Sequence, residues 1–84
     1  MASIGDVVAR NVRVERVRRR WRQADLAEHL GWSMTKVSDI EAGKRRVSAD
    51  QLVELCAVFK IPLVRLLDEA DPEDLHTLGL GQAP

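Results

Sequence analysis

Apolar residues recur at helical intervals along most of the chain, with no stretch of the strict alternation that marks a half-buried strand. Ile4, Val8 and Val12 repeat every four residues, and Val17 and Trp21 extend that face, which predicts a first helix from about Gly5 to Arg20. Val7 and Val14 lie partly off the stripe, either peripheral or in a contact of another kind. Leu26, Leu30, Val37 and Ile40 carry the pattern through 23–42, QADLAEHLGWSMTKVSDIEA, which reads as two short helices joined by a tight turn with Trp32 apolar inside it. Ala27 is small where the second of these helices must cross closely. Gly31 ends the first of the pair, where the chain turns through a conformation that penalises a Cβ. Ser33 stands at the N-cap of the next, its hydroxyl free to accept an orphan backbone N–H.

Gly43-Lys44-Arg45-Arg46 follows as a cationic turn, and Ser48-Ala49-Asp50-Gln51 has the form of a capping box that opens a fourth helix. Leu52, Val53, Leu55, Cys56, Val58 and Phe59 give that helix a broad apolar face, and Lys60-Ile61-Pro62 breaks it. A fifth helix is expected from Leu63 to about Glu69, carrying Leu63, Leu66 and Leu67. Beyond Asp71-Pro72 the pattern supports at most one helical turn in a fraying segment. The expectation is an all-α, compact five-helix domain over residues 1–70, with 71–84 as a short acidic, flexible C-terminal tail.

Composition sharpens this picture in three ways. Tyrosine is absent and the large side chains are only Trp21, Trp32 and Phe59, so the core of this 84-residue chain must be built mainly of Leu, Val and Ile. Cys56 is the single cysteine, which excludes an internal disulfide and a cysteine zinc cluster; it reads as a buried core thiol. No apolar run reaches the ~18 residues of a membrane span and no signal peptide opens the chain, so a cytoplasmic setting is expected.

The formal net charge of zero conceals an asymmetry. Residues 1–46 hold eleven Lys and Arg against six Asp and Glu, whereas residues 47–84 hold two against seven, balances of +5 and −5. The basic half is the one with the paired short helices, and local charge decides which face meets phosphate. Residues 23–42 have the form of a helix-turn-helix, which sets the N-terminal end of its second helix against base edges in the DNA major groove. With Val37 and Ile40 turned inward, Met34, Thr35, Lys36, Ser38 and Asp39 remain for DNA. Met34 and Thr35 suit thymine methyl groups; Lys36 can donate to guanine O6 and N7 or pair with phosphate. Ser38 can bond a phosphate or its own helix, and Asp39 can accept from cytosine N4 or pair with a nearby cation. Arg18, Arg19, Arg20 and Arg22 form either a solvated basic face or a contact to the DNA backbone.

Gln23-x-x-Leu26-Ala27-x-x-Leu30-Gly31, Ser33 and Val37-Ser38-x-Ile40-Glu41-x-Gly43-Lys44 together resemble the Cro/C1-type helix-turn-helix family, also called the XRE family, over roughly residues 4–68. The resemblance implies five helices, with the third in the major groove, and a dimer on a two-fold operator of double-stranded DNA. It also implies that Gln23 holds a phosphate at the start of the second helix, that Arg16 and Glu41 form an ion pair between the first and third, and that Lys44, Arg45 and Arg46 touch phosphate or the neighbouring minor groove. The phosphate-facing set is therefore Arg22, Gln23, Ser33, Ser38, Lys44, Arg45 and Arg46. Two positions depart from the family pattern: Arg22 replaces the usual Ser or Thr cap of the second helix, and Val47 stands where proline is frequent.

This reading implies a transcriptional regulator of the phage Cro or immunity-repressor sort. Enzyme chemistry is not expected, because His29, His76 and one cysteine offer no nucleophile–base pairing or metal-ligand spacing, and no cofactor or metal is implied. His29 reads as a surface or rim residue. The alternative is a protein-interaction module such as the antitoxin of a toxin–antitoxin pair, with the acidic half and the Leu75, Leu78 and Leu80 tail as its partner surface. Those leucines can equally serve dimer contact or loose packing over the core. Ile61–Leu67 together with the tail is the expected homodimer surface.

Overall fold

Ser3 starts the first helix with a reciprocal cap: its Oγ accepts the Asp6 N–H at 3.2 Å while Asp6 Oδ2 accepts the Ser3 N–H at 3.4 Å. The computed structural model describes residues 2–81 and is all-helical among them. Its elements are α1 (Ile4–Arg18), α2 (Gln23–Leu30), α3 (Met34–Glu41), α4 (Ala49–Phe59), α5 (Leu63–Leu66) and α6 (Pro72–Thr77). The Ser48–Gln51 box is formed at α4, each partner's side chain accepting the other's backbone N–H.

One core joins the elements: Val7, Val8 and Val12 of α1, Leu26 and Ala27 of α2, Val37 and Ile40 of α3, Leu55 and Phe59 of α4, with Leu66, Leu67 and Ala70. Val7 thus belongs to the core although it lies off the four-residue stripe. Val17 and Val53 do not: they are 55% and 69% exposed, so the apolar faces expected of the first and fourth helices are narrower than the sequence suggests. Cys56 is only partly buried, and that burial raises its thiol pKa.

α1 ends at Arg18, two residues earlier than expected, because Arg20 takes the left-handed conformation and Trp21 N–H returns to the Arg16 carbonyl at 3.2 Å. The inward face of α1 then carries two buried polar residues, Asn11 and Glu15. Asn11 Nδ2 donates to the carbonyls of Leu66 and Asp68 at 2.8 and 2.9 Å, which satisfies acceptors at the end of α5. That helix is one turn, not the seven residues expected; the backbone continues in turns and reaches φ +68° at Glu69. Glu15 accepts from Arg19 at 3.0 Å and from Arg65 at 3.1 Å, with Arg18 at 3.6 Å. Burial pushes its carboxyl pKa up, but the hydrogen bonds and charges of these arginines outweigh that and hold it below the ordinary value.

A sixth helix of six residues, Pro72–Thr77, forms where at most one turn in a fraying segment is expected. Asp71 caps it by accepting the Glu73 N–H at 2.8 Å, and Pro72 occupies its first turn. Leu75 packs against the core, and its carbonyl accepts from Leu80 and Gly81 at 2.8 and 3.0 Å. Leu78 and Leu80 border an apolar groove with Ile4, Val8, Leu63 and Leu67. Residues 82–84, the end of the expected tail, lie outside the described residues.

Candidate functional site

α2 begins without a side-chain cap, since the guanidinium of Arg22 has no acceptor to offer. Asp25 compensates from within the first turn: its Oδ2 accepts the Arg22 N–H at 2.8 Å, and this backbone bond, with the Arg22 side chain, holds the carboxyl below its ordinary pKa. Arg22 itself stays 83% exposed. At the other end Gly31 takes φ +71°, and Ser33 Oγ then accepts the Lys36 N–H at 3.1 Å to start α3. Val37 and Ile40 are 1% exposed and fix which side of α3 faces the core.

The opposite side presents Met34 and Thr35 to solvent, with Lys36, Ser38 and Asp39 half-buried. Lys36 Nζ lies 4.2 Å from the ring centroid of Trp32 in the preceding turn. The Asp39 carboxylate lies 4.0 Å from Arg45, so the nearby-cation alternative for Asp39 describes this structure.

Glu41 closes the C-terminal end of α3. It accepts from Arg16 Nε at 2.7 Å, from Arg16 Nη2 at 3.0 Å and from Gln23 Nε2 at 3.2 Å, while Arg16 Nη1 donates to the Trp21 carbonyl at 2.8 Å. The ion pair is largely withdrawn from water, its side chains 12% and 4% exposed, so removing either partner would strand a buried charge and cost more than breaking a surface pair. Arg16, Gln23, Ser38 and Glu41 line one shallow cleft, together with Arg13. Arg13 was not among the sequence candidates; it is exposed, and no carboxylate pairs with it among the described residues. Its place one helical turn before Arg16 is the signal that could have found it.

Lys44, Arg45 and Arg46 are all exposed after Gly43, which turns the chain at φ +75°. Arg46 leans towards the start of α1, where its Nη1 would lie 3.2 Å from a Cβ at Gly5. The basic run divides in the structure. Arg19 is drawn inward, donating to Glu15 and to the Phe59 carbonyl and lying 4.7 Å above the Phe59 ring, so it ties α1 to α4 rather than contributing a free basic surface. His29 is exposed, and its ring stacks on Trp21 at 4.2 Å. Among the described residues no group of histidine, cysteine and carboxylates is arranged to hold a metal, and no helix is long and apolar enough to cross a membrane.

Residues 7–70 match the family model described as a helix-turn-helix domain. The chain is also similar to the crystal structure of a hypothetical transcription factor, NHTF, from Neisseria, with 26% identity and a TM-score of 0.73 over 90% of this chain and 85% of that one. No curated protein sequence matches it.

Proposed function

Because the chain belongs to the helix-turn-helix domain family, we propose that it is a sequence-specific regulator of transcription, of the phage Cro or immunity-repressor sort, which occupies a double-stranded operator through the major groove. The observation that carries this reading is the two-sidedness of α3: Val37, Ile40 and Glu41 anchor it, while Met34, Thr35, Lys36 and Ser38 are left facing away from the core. In this reading Met34, Thr35, Lys36 and Asp39 meet base edges, Asp39 after exchanging Arg45 for cytosine N4. Arg22, Gln23, Ser33, Ser38, Lys44, Arg45 and Arg46 serve the phosphates. The Arg16–Glu41 pair sets the angle between α1 and α3.

The regulator acts in the cytoplasm, at the nucleoid, as a homodimer on DNA, with half-sites about 10–10.5 base pairs apart or multiples of that. A second reading, the antitoxin or other protein-interaction module, is favoured by the exposed Leu78 and Leu80, which follow a helix, α6, whose first turn is acidic. Selection of bound duplexes from a random pool at near-physiological salt separates the two. An enriched two-fold motif supports the repressor. Salt-sensitive binding without enrichment overturns it and puts the protein-partner reading in its place.

A further inference from the structure

The geometry points to Trp32 as a positioning residue that holds the Lys36 ammonium ready to read a guanine. This rests on the proposed function and names one part of its specificity. Both ends of the pair are fixed by the backbone. The Trp32 N–H donates to the Ala27 carbonyl at 3.0 Å and its indole packs against the core, while the Lys36 N–H is bound by Ser33 Oγ. Between them the ammonium stands 4.2 Å from the ring centroid, well within the reach of a cation–π attraction.

Lys36 has reason to be elsewhere. It lies in the first turn of α3, where the helix dipole opposes a positive charge, and no carboxylate pairs with it among the described residues. A lysine so placed on an open surface would swing outward and sample many rotamers, as a phosphate-pairing lysine can without loss. The indole face offsets the dipole and restricts the side chain. An ammonium has three donors, so with the ring on one side it still has N–H groups directed away, at the end of α3 that meets base edges. Fixing a flexible cation before binding lowers the ordering cost of a directional contact, and a guanine edge, with adjacent O6 and N7 acceptors, rewards direction where a phosphate does not.

Two measurements on the whole chain test this, one without DNA and one with it. In the free protein the Lys36 ε-methylene protons should be shifted upfield by the indole ring current, and the shift should collapse in Trp32→Leu and persist in part in Trp32→Phe. On the selected operator, Trp32→Leu should reduce the ratio of operator to scrambled-duplex affinity about three- to tenfold, leaving affinity for the scrambled duplex unchanged. Lys36→Ala should produce a similar loss, the double variant little more, and Trp32→Phe should recover much of the ratio. Additive losses, equal weakening on both duplexes, or an ε-methylene shift indifferent to Trp32→Leu would each overturn the positioning role. If the wild-type chain shows the shift but selects no sequence, the regulator reading fails and takes this role with it. If it selects a sequence on which Trp32→Leu keeps its ratio, the role alone fails. Trp32→Phe keeps an aromatic ring against the core, so it supplies both readouts if the leucine variant is poorly folded.

Discussion

A single carboxylate, Glu41, receives hydrogen bonds from α1 and α2 while belonging to α3, so three helices meet at one side chain. Gln23 illustrates how far a residue type can be read in advance. Its place at the start of α2 suits a phosphate, yet in the free structure its amide is already donating to Glu41. Gly31 is simpler. Nothing lies within 4 Å of where its Cβ would be, so only the backbone at φ +71° resists a side chain. Gly31→Ala is expected to cost about 1–2 kcal/mol and Gly31→Asn less, read by urea denaturation; no loss in the alanine variant would mean that the turn relaxes. Arg45 is exposed and offers its charge mainly to solvent, apart from a long contact to Asp39. Replacing it with alanine should weaken DNA binding almost equally on all sequences and lower the salt-dependence slope by about one, measured by anisotropy titrations across a salt series.

At the scale of elements, the middle of the chain is legible and its periphery is not. The Ser33 cap, the αL Gly31 and the buried Leu26, Ala27, Val37 and Ile40 define α2 and α3 locally and are found where the sequence puts them, with Leu30 only partly buried. α5 and α6 depend on contacts distant in sequence. Asn11 reaches 55 residues along the chain to the Leu66 carbonyl, and Arg65 reaches 50 back to Glu15. No periodicity announces such contacts, although two polar residues four apart on the inward face of α1 are a trace of them. The exposure of Val53 and Val17 has the same origin: the spacing made them core candidates, but no element covers them. The cleft shows this too: the spacing of Arg13 from Arg16 puts both on one side of α1, but only packing between helices brings them to a cleft shared with Gln23 and Ser38. Asn11→Ala should leave the two carbonyls it serves unpaired and cost about 1–3 kcal/mol. Hydrogen exchange should localise that loss to residues 63–70; a uniform loss across the chain would mean that α5 does not open separately.

Over the whole molecule, the Glu15 cluster couples stability to acidity. The carboxyl pKa is lowered in the fold from its ordinary 4.5, so its contribution is present above that value and disappears as pH falls through the lower, folded one. Thermal unfolding from pH 6 to pH 3 should therefore decline more steeply for the wild type than for Glu15→Gln, which begins about 1–3 kcal/mol less stable at neutral pH. Parallel curves would show that the arginines around Glu15 are balanced by other groups. α3 has a consequence that reaches beyond one molecule. The residues that seat it, Ser33, Val37, Ile40 and Glu41, are different from those at its outer edge, Met34 and Thr35. Exposed positions of that kind usually tolerate exchange within about 0.5 kcal/mol. On the proposed reading, in which Met34 and Thr35 meet base edges, a lineage carrying this scaffold can drift to new preferences one outward residue at a time, its architecture unchanged, and a laboratory can retarget it by the same route.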